Sequence, residues 1–562
     1  MTGYQTVGSG TATEEASGED MAHPRRSRNP KLGGGHASML SSNINLLNTI
    51  VGAGTLAMPA AMSHFGVMLG VLLIVWCGLT SAFGLYLQGR CARYLDRGTS
   101  SFFALSQITY PNAAVVFDAA IAIKCFGVGV SYMIIIGDLM PGVAEAFGSI
   151  DSGLSFLDDR RFWITVFFVL FIIPLSFPKR LDSLKYTSMV ALLAIGYLIL
   201  LVVYHFAADE IPNDRDIRII TWEGPAAALR TLPVVIFAYT CHQNMFSIVN
   251  EIKDNSPGSI VGVIVSSIGS AASVYILVAI TGYLTFGNAV KGNIVGMYPP
   301  SIASTIAKAA IVALVTFSIP LQIHPCRASI DAVLRWRPGN NSRSTSPSRA
   351  TGPASGHQPL LPSSSSPAAP SPPALDSHGS PAAAMSEMRF ALITSTILVL
   401  SYVTALHVST LDRVLAYVGS TGSTAISFIL PGLFYYKISD PDSIYHQRLS
   451  KEDDDAGLDV QDDRDANDED EDDEEVVGSG LLAPSVASLR STASSSAGSG
   501  RPRSRGKATG SGRRGIWRWR RKWRWDLEHL DTGLLRKLSL CLSMYGVCVM
   551  VVCLGTNAFF SK

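Results

Sequence analysis

Apolar runs of about 20 residues, the length that spans the roughly 30 Å hydrocarbon core of a bilayer, recur along the chain. They lie near residues 40–62, 66–88, 113–137, 162–178, 187–206, 226–248, 259–286, 303–324, 389–408, 411–436 and 536–557. This pattern predicts an all-α membrane protein with eleven transmembrane helices. Three polar stretches interrupt the series: 1–39, 338–386 and 438–535. Ser, Pro, Gly and charge dominate them, and chains of that kind bury too little apolar surface to offset the entropy of ordering. The expected organisation is a disordered cytosolic tail (1–39), a transmembrane core (40–437) containing a disordered linker (338–386), a disordered cytosolic insertion (438–535), and a last span with a short luminal tail (536–562).

Two of the runs are broken. In the first, NTIVGAGTLAM from Asn48 to Met58 sets two glycines and two threonines in the apolar stretch, and Pro59 follows. Backbone that leaves the helix at membrane depth is tolerated where protein or a water-filled cavity receives it, and transporters use such openings to hold substrates and ions. Close packing through small residues is the alternative, and it accounts for Gly52 and Gly54 but not for Asn48, Thr49 and Thr55 at the same level. In the sixth run, PVVIFAYTCHQNMFSIVNE from Pro233 to Glu251 gathers Thr240, Cys241, His242, Gln243 and Asn244. Polar groups at that depth face a cavity or a partner helix. The breaks stand five spans apart, as two five-helix halves of inverted topology would place them.

The eighth run adds Thr316 and Ser318, whose hydroxyls would serve a cation or the first span, or simply bond back to the preceding turn. His242 is a candidate proton carrier because imidazole titrates near physiological pH; the competing reading is a neutral structural or substrate-facing histidine. Asp138, at the end of a span, carries the same two readings, proton site or helix-end residue. Gly419–Ser423, GSTGS, reads as a flexible or bent piece of the tenth span. No hydrolase elbow, phosphate-binding loop, zincin helix or kinase signature occurs in the required context, so no catalytic residue is expected. The eight cysteines lie in or beside the spans without ligand or disulfide spacing, and suggest no metal and no cofactor.

A mean hydropathy of +0.27 with 48% apolar residues, in a chain carrying such long polar stretches, means that the apolar residues are concentrated. The formal net charge of +1 conceals local segregation. Lys and Arg favour the cytosolic side of short loops, and Arg25, Arg26, Arg28, Lys31, Arg90, Arg93, Arg97, Lys179, Arg180 and Lys185 fall in alternate segments. The other loops are rich in acid, though Arg160, Arg161, Arg215 and Arg218 dilute the bias. The amino terminus is therefore placed in the cytosol and the carboxyl terminus outside or in a lumen. All three polar stretches then fall in the cytosol.

The insertion runs from an acidic block (Glu452–Glu475) to a basic stretch in which Trp517, Trp519, Trp523 and Trp525 alternate with Arg and Lys. Basic residues near a cytosolic leaflet gain about 1 kcal/mol each from anionic lipid, and Trp prefers the interface. Arg513–Trp525 is thus expected to rest on anionic lipid, with a solvated linker as the bland alternative. Nucleic acid is not an expected partner; cytosolic regulatory proteins are.

The strings NLLNTIVGAGTLAMP, IIIGDLMP from Ile134, PLSFPKRLDSLKYTS from Pro174, FAYTCHQNMFSIVNE from Phe237 and GYLTFGNAVKGNI from Gly282 together resemble the amino acid/auxin permease superfamily. Within it the chain is similar to fungal vacuolar amino acid transporters, which are related to animal sodium-coupled neutral amino acid transporters. The resemblance runs through all eleven spans in order. It implies a LeuT-like 5+5 inverted repeat plus one extra helix, with helices one and six discontinuous. It implies a secondary active transporter that moves neutral amino acids from vacuole lumen to cytosol, coupled to protons rather than sodium. A transporter-like sensor signalling through its cytosolic tails is the alternative function, and the plasma membrane the alternative location. By resemblance, the substrate carboxylate meets the amides of Gly52, Ala53 and Gly54, flanked by Thr49 and Thr55. The amine faces carbonyls near Ala238 and Thr240, with His242 and Asn244 nearby. Asn48 and a hydroxyl at Thr316 or Ser318 correspond to an ion site.

Overall fold

The computed structural model describes residues 35–95, 97–147, 155–178, 187–208, 216–335, 385–449 and 532–559. In chain order its helices are α1 (Met39–Ile50), α2 (Ala53–Phe65), α3 (Val67–Ala92), α4 (Phe102–Thr109), α5 (Ala114–Ala146), α6 (Arg160–Phe167), α7 (Ile173–Ser176) and α8 (Thr187–Ala208). There follow α9 (Pro225–Ala238), α10 (His242–Glu251), α11 (Pro257–Phe286), α12 (Ile302–Arg335), α13 (Glu387–His407), α14 (Leu411–Val418), α15 (Leu430–Ile438) and α16 (Thr532–Phe559). Among the described residues the sole β pairing is an isolated parallel bridge, Ala37 with Ile252.

Among the described residues, nine helical segments are long and apolar enough to cross a membrane, and ten if α1 and α2, which meet at a 55° bend, count as one crossing. The run expected at 162–178 is helical but short. It consists of the eight residues of α6, five of π-helix (Phe168–Ile172) and the four of α7. The outward faces carry Leu72, Leu79, Leu193, Leu200, Leu392 and Val551, all exposed, which fits a surface whose solvent is hydrocarbon rather than water.

The core that positions the breaks is α2, α5, α9, α11 and α12. Helix α2 is buried almost all round, from Ala53 through Phe65, and it contains Pro59, which cannot donate a bond to the carbonyl four residues back. Helix α12 lies along α5 and holds Pro320 and Pro325. The tenth expected span joins α14 to α15 through two π-helical turns, Gly419–Ser423 and Ala425–Ile429, where the Thr424 hydroxyl donates to the Gly419 carbonyl at 2.6 Å.

At the polar boundaries the fold differs from the expectation. Residues 35–38 are ordered: Ala37 N–H donates to the Glu251 carbonyl at 2.9 Å, and Lys253 N–H donates to the Ala37 carbonyl at 2.9 Å. Beyond the tenth expected span, 438–449 is structured as well, with a helical turn at 444–449. Arg536 bonds Asp440 at 2.8 Å, and Tyr94 Oη lies 3.0 Å from His446 Nδ1. Helix α16 also begins at Thr532 rather than 536. The first two corrections share one cause, the pairing of short polar segments with neighbouring helices, which composition does not register. The remaining parts of the three polar stretches, including the acidic block and Arg513–Trp525, lie outside the described residues.

Candidate functional site

Helix α1 stops at Ile50 because Val51 is extended (φ −80°, ψ 100°) and Gly52 takes φ −154°, ψ −137°. Helix α2 then starts at Ala53 with no side-chain cap on its first amides. In the sixth expected span α9 ends at Ala238 and α10 starts at His242, across Tyr239, Thr240 and Cys241. The breaks touch: a Cβ placed on Gly54 would lie 2.5 Å from the Cβ of Ala238 and 2.8 Å from its Cα. The glycine is what lets the two segments meet.

A cavity of about 780 Å³ opens beside this contact. Its wall includes Asn48, Thr49, Gly52, Ala53 and Gly54 from the first break, and Ala238, Thr240 and Asn244 from the second. Ser318 of α12 completes the set of expected residues that reach it. Tyr132 and Lys124 of α5 also line it, as do Gln243, Ser247 and Gln322. Gly52 has room for a side chain, since a Cβ there would find its nearest neighbour, the Tyr132 hydroxyl, at an ordinary contact distance of 3.9 Å. The wall is partly bonded to itself: Asn244 Nδ2 donates to Thr49 Oγ1 at 2.8 Å, and Thr49 Oγ1 donates to the Asn45 carbonyl at 2.9 Å. The buried acceptors Asn48 Oδ1 and Gln243 Oε1 have no hydrogen-bond partner. A buried acceptor left unmatched costs about 1–3 kcal/mol, so both are suited to a donor brought by a ligand.

Three expected residues stand outside this wall. Thr55 is fully buried on α2. Thr316 is spent on its own helix, donating to the Val312 carbonyl at 2.6 Å; Ser318 does the same toward Leu314 at 2.7 Å, although it borders the cavity. His242 turns away toward α3, where its Nε2 donates to the Ser81 carbonyl at 3.2 Å. The reason is helical phase. Gln243, Asn244 and Ser247 face the cavity, and residue 242, about 100° back round the helix, belongs to the buried face with Met245 and Val249. Asp138 pairs with Arg160 at 3.5 Å near the end of α5, away from the cavity.

Tyr275 of α11 goes unnoticed in the sequence reading. Its hydroxyl lies 2.7 Å from the Ile50 carbonyl and 2.7 Å from the Ala238 carbonyl, the chain ends of both broken helices. Helix C-termini leave carbonyls without intrahelical donors, and the single proton of this hydroxyl is shared between the two. Ser81 Oγ donates to the next carbonyl, Tyr239, at 3.2 Å. One lone pair of the Ala238 oxygen, expected to meet a substrate amine, is thereby engaged by the protein; a carbonyl keeps a second.

A multi-pass, all-helical membrane protein with a polar cavity at the junction of two interrupted helices defines the class of solute transporters. The sequence pattern of the family described as "Transmembrane amino acid transporter protein" matches residues 35–453, and the chain belongs to that family. It is 43% identical over 411 residues to vacuolar amino acid transporter 6 of Saccharomyces cerevisiae, covering 72% of this chain and 90% of the relative. With vacuolar amino acid transporter 5 of Schizosaccharomyces pombe the identity is 44% over 407 residues, or 72% and 86% of the two chains. More distantly, sodium-coupled neutral amino acid transporter 7 of the mouse is 29% identical over 313 residues, 54% of this chain and 66% of that one. Among solved structures, MhsT in complex with L-phenylalanine aligns at TM-score 0.45 and 13% identity, covering 74% of this chain and 95% of that one.

Proposed function

We propose that the protein is a secondary active amino acid transporter of the vacuolar membrane, driven by protons and moving its substrate from lumen to cytosol by alternating access. The observation that carries this reading is the cavity at the touching breaks, where uncapped α2 amides and unmatched side-chain acceptors face one space. An amino acid presents the complement, a carboxylate for helix N-terminal amides and an ammonium for Asn48 Oδ1 and Gln243 Oε1. Eleven crossings, with α6 to α7 as the short fourth, and a LeuT-like inverted repeat complete the proposed architecture. The amino terminus lies in the cytosol and the carboxyl terminus in the lumen. In that orientation the cavity runs from the breaks toward Asn45, Ser247 and His324, the cytosolic ends of their helices, so the chain is inward-facing. The Gly54–Ala238 contact separates it from a smaller cavity of about 230 Å³ on the luminal side, bordered by Ala57, His64 and Thr231.

The resemblance makes a neutral amino acid the first substrate class to test, and the names of the relatives favour transport over sensing. Purified protein in liposomes, with pH and sodium gradients imposed separately, is expected to take up amino acid under the pH gradient alone. Uptake that follows sodium and ignores pH would overturn proton coupling and restore Asn48 and Ser318 as a sodium site. Binding of an amino acid without flux under either gradient would favour the sensor.

A further inference from the structure

Among the described residues that line the large cavity, Lys124 is the sole lysine or arginine, and none is an aspartate or glutamate. Lys124 sits about a third of the way along α5, 4% exposed, ten residues from the start of its helix and thus about 15 Å along it. The groups around it are neutral. They are the Cys125 and Cys241 thiols, the backbone of the π turn at Gly422, which is pressed against Ala120 and Lys124, and the amides and hydroxyls of the cavity wall. His324, on α12, is the other ionisable imidazole or amine that borders this space. No carboxylate pairs with Lys124 among the described residues.

A lysine buried within a membrane-spanning helix without a carboxylate partner is costly. Burial of a charge is ordinarily accompanied by a counter-ion, and here the protein supplies none within the cavity. The missing charge is then the ligand's. We infer that Lys124 is the carboxylate receptor of the cavity, a residue that binds substrate directly by closing an ion pair with a carboxylate the substrate brings. This rests on the transport reading above and deepens it. Helix α5 thereby joins the two broken helices as a third binding wall.

Two sources offer the same chemistry. Tyr132, near Gly52, lies eight residues beyond Lys124 on α5, which is about 12 Å along the helix. A lysine side chain reaching toward Tyr132 meets the α-carboxylate seated at α2; one reaching sideways or toward the cytosol meets a side-chain carboxylate instead. The first leaves a neutral amino acid as substrate, whereas the second selects an acidic one.

The test is uptake of glutamate and glutamine by the full chain in liposomes, for the wild type, K124M and K124R. If the side-chain carboxylate is the partner, glutamate is favoured over glutamine at least tenfold and K124M reverses that order. With the α-carboxylate as partner, glutamine is carried and K124M raises its KM at least tenfold, while K124R restores it. K124M that transports both substrates with wild-type KM overturns the inference and leaves the transporter standing. A second measurement needs no variant. A small amine-acylating reagent applied to the wild type should modify Lys124 at least threefold less in saturating substrate, read by mass spectrometry. Equal modification with substrate bound overturns the inference. Should no amino acid cross the bilayer at all, it is the transport reading that falls, and substrate protection of Lys124 still reports carboxylate binding.

Discussion

The two helix breaks meet at one contact yet are built on opposite principles. The first, Val51–Gly52, is braced only on its α1 side, where the Ile50 carbonyl shares Tyr275; its other side is bare, since Ala53 begins α2 without a side-chain cap and a Cβ on Gly52 would meet only the Tyr132 hydroxyl, at 3.9 Å. The second, Tyr239–Cys241, is braced, with the Ala238 carbonyl held by Tyr275, the Tyr239 carbonyl by Ser81 and the Thr240 hydroxyl turned back to Ile236. An open helix start offers donors and positive potential, while an occupied helix end offers rigidity. The difference teaches that the first break is suited to receive a ligand and the second to hold the frame against which it is received.

That contrast can be broken most severely at Gly54. Gly54→Val puts branched carbon into Ala238, and overpacking of that kind costs about 1–3 kcal/mol or more; loss of folded protein on detergent size exclusion is expected. Gly52→Val has room, so the variant should fold and insert normally yet lose at least tenfold in uptake, because its side chain fills the space before the α2 amides. Comparable folding defects in the two variants would refute the distinction between a bare and a braced break. Tyr275→Phe removes the donor shared by both helix ends and should lower stability by about 1–3 kcal/mol, read as a fall in the thermal unfolding midpoint, with substrate affinity changing less than in Gly52→Val.

The smallest effect is expected far from the breaks. His64, at the end of α2, pairs with Glu223, whose carboxylate is also 3.7 Å from Arg218. The hydrogen bond from His64 holds the Glu223 carboxyl below the usual carboxylate range, with the neighbouring arginine charges assisting and partial burial opposing. Its contribution to stability is therefore complete above the ordinary carboxylate pKa and is lost as pH falls through the lowered value. Because the pair is exposed, Glu223→Gln should cost below about 1 kcal/mol, seen as a small midpoint difference at neutral pH that vanishes in strong acid. A large effect on uptake would show that this pair belongs to the moving parts rather than to the frame.

Much of this was legible in the sequence for physical reasons. Hydropathy locates the long helices because lipid requires their length, and the first break is written in Gly52, Gly54 and the polar residues around them. The second shows as a polar cluster, but the cluster by itself does not fix helical phase, so His242 reads together with Gln243 and Asn244 although it faces α3. Tyr275 carries no local signal: a tyrosine in an apolar run looks like packing until its distant carbonyl partners are known. Lys124 did carry one. A lysine alone in the middle of an apolar run is conspicuous by its cost.

The strand-like bonding of Ala37 with Glu251 and Lys253 ties the residue that leads into α1 to the residues that close α10. The Thr49–Asn244 bond joins the same two half-helices nearer the bilayer centre. Clamped at both ends, they form a single leaf where the chain trace suggests two. Any pull on the amino-terminal segment is delivered to α10 as directly as to α1.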